Sequence, residues 1–229
     1  MTDAKKYFTA ARRQFIESPL KELGFKKYKT VFIGSMTDDG IFQFLNFETS
    51  AHGGEQLTVD VAIRPMYCPH ESHLTLLPGN RLGAMASDGK HDRWWSYATE
   101  EKALASLTEI AGLLHEYALP FFNATTTSDA IIDAYENNTF GDQVRWGSTG
   151  WGNNDLAHIY LRAGELETAR VQFDAACAKF SIDDREWAQA AARECRNMTA
   201  LIGTGTAAIE QYIERTIKQS KHNLKLSDR

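Results

Sequence analysis

The stretch from Leu57 to Arg64 constrains this chain most. Leu57, Val59, Val61 and Ile63 alternate with Thr58, Asp60, Ala62 and Arg64. A period of two puts the first set on one face of a β-strand and the second on the other. The pattern predicts a half-buried antiparallel strand, with one side under helices and the other open. Ile41 to Ser50 reads as its partner. Ile41, Leu45 and Phe47 fall on one face, and Phe42, Phe44, Asn46 and Glu48 on the other. Both faces carry apolar residues, so this strand is read as central. Thr37-Asp38-Asp39-Gly40 is a hairpin signal, because glycine takes positive φ without a steric penalty. His52-Gly53-Gly54-Glu55 makes the next turn. Phe25 to Met36, with Tyr28, Val31, Phe32 and Ile33, reads as the first strand of a three-strand meander.

Helical patterns flank the meander. Asp3 to Ser18 places Phe8, Ala11 and Phe15 on one face. Pro19 fits the first turn of a short helix carrying Leu20 and Leu23. Pro65, Pro69 and Pro78 break any ladder after the third strand. Arg81 to Met85 and Arg93 to Tyr97 are short strand candidates. Thr99 reads as the cap of a helix from Glu100 to Tyr117, with Leu104, Leu107, Ala111 and Leu114 on one stripe and Pro120 as its stop. Ser128-Asp129 reads as the cap of a helix over Ala130 to Tyr135. Asn137 to Asn154 is rich in Gly, Asn and Ser, and marks a boundary or a mobile loop. The division is an α+β domain over 1–137 and an all-helical region over 138–229. That region has helices near Asn154–Ala163, Glu165–Phe180, Asp184–Leu201 and Thr206–Lys221, then a frayed polar tail, Asn223–Arg229.

Composition excludes some functions. The 229 residues are 43% hydrophobic and 24% charged, with net charge −5, which is ordinary for a soluble globular protein. Lysine and arginine are scattered without a basic stripe, so nucleic acid is not an expected partner. No apolar run approaches the ~18 residues of a membrane span. Met1 to Phe15, with Lys5, Lys6, Arg12 and Arg13, has no apolar core of signal-peptide length. Cys68, Cys177 and Cys195 are an odd, widely spaced set, which fits reduced thiols in a cytoplasm.

Candidates for chemistry are few. Cys68, His70 and His73 are metal-ligand types, and His91 or Asp92 would make a fourth zinc ligand. Their C-x-H-x-x-H spacing is not a common one, and a histidine-bearing surface loop is the favoured reading. No cofactor and no catalytic residue is assigned. Glu48, Asp60 and Arg64 fall on one sheet face, as a carboxylate–guanidinium pair or as a polar ligand pocket; the pair is favoured. Of Trp94 and Trp95, one belongs in the core and the other covers a cleft or a partner. Trp146 and Trp151 stand in the Gly-rich loop, where large aromatics mark contact surfaces or pack onto the meander.

Two resemblances add to this reading. Leu23-Gly24-Phe25-Lys26-Lys27, the aromatic meander after it, and Asp92-Arg93-Trp94-Trp95 resemble the bacterial domain of unknown function 4304 over about the first 125 residues. That resemblance implies a fold and no reaction. Members tend to carry a glutamine near Glu48 and an Asn-Leu-Gly-like string near Asp60 to Ala62, and this chain departs at both. The second lies in Leu156, Ala157, Tyr160, Gly164, Ala169, Phe173 and Ala176, whose spacing resembles a tetratricopeptide repeat. Trp187 falls one repeat length after Asn153; beyond it the phase decays at Glu194 and Met198, and Ser181 replaces the usual proline between repeats. An αα-hairpin packed on the first domain is favoured over a peptide-binding groove.

The resulting expectation is a non-enzymatic cytoplasmic protein that binds another protein, with Trp94, Trp146, Trp151 and Tyr160 as contact candidates. Small acidic bacterial proteins of this build include immunity proteins that neutralise a toxin. The competing expectation is a metal- or small-ligand-binding enzyme. Its site would lie between Glu48, Asp60 and Arg64 on the sheet and the 66–95 region carrying His70, His73 and Trp94.

Overall fold

The computed structural model describes residues 3–28, 32–51, 53–69, 78–147 and 149–226. Helix α1 (Asp3–Arg12) runs through a π turn, Arg13–Glu17, into α2 (Ser18–Glu22). Strands β1 (Lys26–Lys27), β2 (Phe32–Met36), β3 (Ile41–Thr49), β4 (Gln56–Pro65) and β5 (Gly79–Arg81) follow. After α3 (Leu82–Met85) and β6 (Trp95–Ser96), α4 (Glu100–Leu113) passes through a second π turn, Leu114–Ala118, into α5 (Leu119–Asn123). Then come α6 (Ser128–Glu136), α7 (Gly150–Ala163), α8 (Leu166–Ser181), α9 (Glu186–Ile202) and α10 (Thr206–Asn223).

The sheet is antiparallel in the order β1-β2-β3-β4-β5, and β6 pairs with β4 further along the same strand. The meander therefore stands, with one change. The expected first strand, Phe25 to Met36, is a hairpin: Lys26 pairs with Gly34 and Lys27 with Ile33. Val31 lies outside the described residues. Gly40 turns β2 into β3 at φ 79°, and the Thr37 N–H donates to the Ile41 carbonyl.

β4 is not half-buried. Leu57, Val59, Val61 and Ile63 share a core with Ile16, Leu107, Ile110 and Phe121, and this core runs on into Ala157, Ala169 and Phe173 of the later helices. Thr58, Asp60, Ala62 and Arg64, on the opposite face, are buried as well. Phe42 and Phe44 stack on that face with centroids 5.6 Å apart. Ala62, Met66, Leu224 and Leu226 close over them, with Ile217 of α10 alongside. The start of the C-terminal tail is thus packed where fraying was expected. Burying a leucine in this way contributes roughly 1.5–3 kcal/mol.

Pro120 does not stop its helix. The helical run continues to Asn123, and Pro120 and Pro19 each follow a π turn with one residue between. A proline lacks an N–H and its ring crowds the carbonyl a turn back. A widened turn before it relieves both problems. Leu23 and Leu104 are exposed, and the buried line of α4 is Ala103, Leu107 and Ile110, continued by Leu114. Thr127, not Ser128, caps α6, its hydroxyl accepting from the Ala130 N–H at 3.2 Å. Ser128 is buried and donates to Asp39 Oδ2 at 2.6 Å. Of the expected strand Arg81 to Met85 only Arg81 is extended, and the rest is α3. The Gly-rich loop is tied down where it passes β5: Gly79 and Arg145 exchange backbone hydrogen bonds of 3.2 and 3.0 Å. The last four helices match their expected spans to within a few residues. Gly164, at φ 83°, ends α7 as its place in the hairpin requires.

Candidate functional site

The end of the second sheet face that Leu224 and Leu226 leave uncovered is polar. Register explains it. Asp60 sits opposite Asn46 on one side and Arg81 on the other, and Glu48 opposite Thr58. Arg81 is surrounded by carboxylates. It bonds Asp92, lies 3.1 Å from Glu48 Oε2, and has Nε 3.5 Å from Asp60 Oδ1. Its guanidinium stacks on Trp94 at 5.4 Å. Asp60 Oδ2 accepts from Asn46 at 2.9 Å, and burial raises the Asp60 pKa above the ordinary carboxylate value. Three carboxylates around one guanidinium leave the locality negative and suited to a cationic contact. The expected pairing of Glu48 and Asp60 with Arg64 is therefore corrected. All share the face, but the guanidinium that meets the two carboxylates is Arg81. Sequence reasoning read Arg81 only as the start of a strand.

Arg64 instead reaches into the helical region, its Nη1 3.3 Å from Asp155 Oδ2 of α7. Nearby, His158 Nδ1 lies 2.8 Å from the Asn154 carbonyl oxygen and Nε2 3.0 Å from the Tyr212 hydroxyl. A neutral ring that donates from Nδ1 and accepts at Nε2 satisfies both contacts. Burial lowers the His158 pKa to about 4. The Cys195 thiol points at Asn154 Oδ1 at 3.6 Å, and the Ser220 hydroxyl donates to the Cys68 carbonyl at 3.4 Å. This buried network joins β4, α7, α9 and α10. Nothing in the local sequence pattern announced it.

Of the zinc candidates, Cys68 is fully buried, and burial pushes its thiol pKa up. His70 and His73 lie outside the described residues. The Asp92 carboxylate is committed to Arg81. No group of three or more His, Cys, Asp or Glu among the described residues is placed to hold a metal ion.

The aromatic candidates separate cleanly. Trp95 is buried, whereas Trp94 is partly exposed and packs against the Arg81 guanidinium. Trp146 packs edge-on against Tyr135 at 5.7 Å. Tyr160 is buried and donates its hydroxyl to Glu136 at 2.7 Å, so it offers no contact surface. Trp151 is different. It is 47% exposed and stacks on Trp187, itself 46% exposed, at 6.2 Å and 18°. Phe180 braces both rings from beneath the edge. Ile182, in the turn joining α8 to α9, is 88% exposed.

A short antiparallel meander with flanking helices, continued by stacked helical hairpins, defines an α+β protein with a helical C-terminal region. Residues 16–124, in the N-terminal half of the chain, match the model of the family described as a domain of unknown function, DUF4304. The whole Arg81 cluster falls inside the matched stretch, whereas the Trp151–Trp187 stack falls outside it. No curated protein and no solved structure matches the chain. Among the described residues no helix is long and apolar enough to cross a membrane.

Proposed function

We propose that this chain is a non-enzymatic protein-binding module whose partner docks on the end of the helical hairpins bearing Trp151 and Trp187. The observation that carries the reading is the pair of stacked, half-exposed tryptophans, with Ile182 also exposed in the α8–α9 turn. Leaving this much aromatic surface in water gives up burial energy, and tryptophan is the residue most enriched at binding hot spots. The tetratricopeptide-like spacing of α7 and α8 supports the same reading, since stacked hairpins of that kind offer contact area. An immunity-like role, in which the partner is a toxin, is its narrower form and has the support of size and acidity. The ligand-pocket alternative has less support, because Glu48, Asp60 and Trp94 are already engaged by Arg81.

The test is affinity purification of the tagged full-length chain from its host, with cross-linking. The reading expects a stoichiometric protein partner that is lost in the Trp151→Ala, Trp187→Ala variant. Failure to recover any partner across varied growth conditions, or equal recovery with the double variant, contradicts it.

A further inference from the structure

We propose that Cys177 and Cys195 form a hydroperoxide-sensitive thiol pair that closes to a disulfide between α8 and α9. The two helices approach through small residues: Ala176 of α8 and Ala188 and Ala192 of α9 are fully buried. Close helix approach is what a disulfide needs, since its Cα atoms must come within ~7 Å. The Cys177 thiol already reaches across. Its sulfur lies 3.6 Å from the Ala192 carbonyl oxygen and accepts from Arg196 Nη1 at 3.3 Å. Ala192 and Arg196 are one helical turn apart, and Cys195 belongs to that turn. The Cys177 sulfur therefore sits over the part of α9 that carries Cys195. A hydrogen bond from Thr199 to Asp174, 3.3 Å long, holds the register one turn on. The two thiols also sense each other: burial first, and then Cys177, push the Cys195 pKa up to about 12.

Their surroundings assign different roles. Cys177 is partly exposed and open to a small oxidant, whereas Cys195 is buried against Asn154. Arg196 sets a cationic donor beside the Cys177 sulfur, where it can hold the departing oxygen of a hydroperoxide. The Cys177 sulfur attacks the near oxygen of the hydroperoxide and the O–O bond breaks. The far oxygen leaves as an alcohol, or as water from hydrogen peroxide, taking the thiol proton, and Cys177 becomes a sulfenic acid. The Cys195 sulfur then attacks the Cys177 sulfur, the S–O bond breaks, and the leaving hydroxide takes the Cys195 proton as water. Two electrons pass from the thiols to the hydroperoxide. Closing the bond draws Cys195 away from Asn154, whose carbonyl holds His158, so oxidation is felt in the buried network.

The test treats the full-length chain with hydrogen peroxide and maps its peptides without reductant. The expected product is a Cys177–Cys195 cross-linked peptide, reversed by dithiothreitol, with Cys68 unmodified. Cys195→Ser should stop at a Cys177 sulfenic acid that dimedone traps, and Cys195→Ala serves where serine unfolds the chain. Arg196→Ala should slow oxidation about tenfold, and Arg196→Lys should restore much of the rate. Oxidation of Cys177 that never links to Cys195, a bond between two chains, or an unaltered rate in Arg196→Ala overturns the proposal.

Discussion

Arg64 of β4 and Asp155 of α7 lie 3.3 Å apart, both buried, and tie the sheet to the helical region. Removing one member strands a buried charge, which costs about 3–5 kcal/mol. Arg64→Ala should lower the unfolding free energy, read from urea titration, by that amount. Arg64→Met combined with Asp155→Leu should recover most of the loss, because an apolar pair needs no charge compensation. A loss in the double variant equal to the sum of the losses in the two single variants would show that the pair has no energetic coupling.

His158 predicts a loss of stability in mild acid. Its pKa is about 4 in the folded chain against an ordinary value of 6.5. Above pH 6.5 both states hold it neutral. Between 6.5 and 4 the unfolded chain takes up a proton that the folded chain refuses, so stability falls by about 3 kcal/mol and then levels off. Asp155 works the other way, since burial raises its pKa and folding gains as it protonates. The difference between wild type and His158→Gln isolates the histidine. Urea midpoints of the variant should lack the fall that wild type shows from pH 7 to pH 4.5.

The tail contributes to the sheet. Leu224→Ala and Leu226→Ala should each cost about 2–5 kcal/mol, by opening cavities over Phe42 and Phe44. Hydrogen exchange should then rise at β3, far from the substitution in sequence. Unchanged protection there would mean that the tail does not cover the sheet in solution.

Arg81 compensates Asp60. Arg81→Ala takes the ion-pair partner from that buried carboxylate, which keeps its hydrogen bond from Asn46, a loss of about 2 kcal/mol after allowing for the partial exposure of Arg81. Adding Asp60→Asn should restore most of it. Thermal melts of the two variants, run side by side, decide the matter.

Much of this fold was legible. The alternation at Leu57 to Arg64, the Thr37–Gly40 turn and the apolar spacing around Tyr160 and Phe173 are local signals, and each marks its element. What escaped depends on contacts distant in sequence. Thr58, Asp60 and Arg64 look like a solvent face until Arg81, Asp155 and Leu224 arrive from elsewhere in the chain. Pro120 reads as a stop because the π turn before it leaves no mark in the residue pattern. Trp151 was visible as a contact candidate. Its partner Trp187 was read only for repeat phase, since stacking across two helices has no sequence period.

The proposed docking surface is the Trp151–Trp187 pair. Titration calorimetry of the co-purified partner against the purified chain tests it most directly. Trp151→Ala with Trp187→Ala should weaken binding at least thirtyfold, or about 2 kcal/mol, while the melting temperature stays within a few degrees. Unchanged affinity in a folded double variant would contradict it.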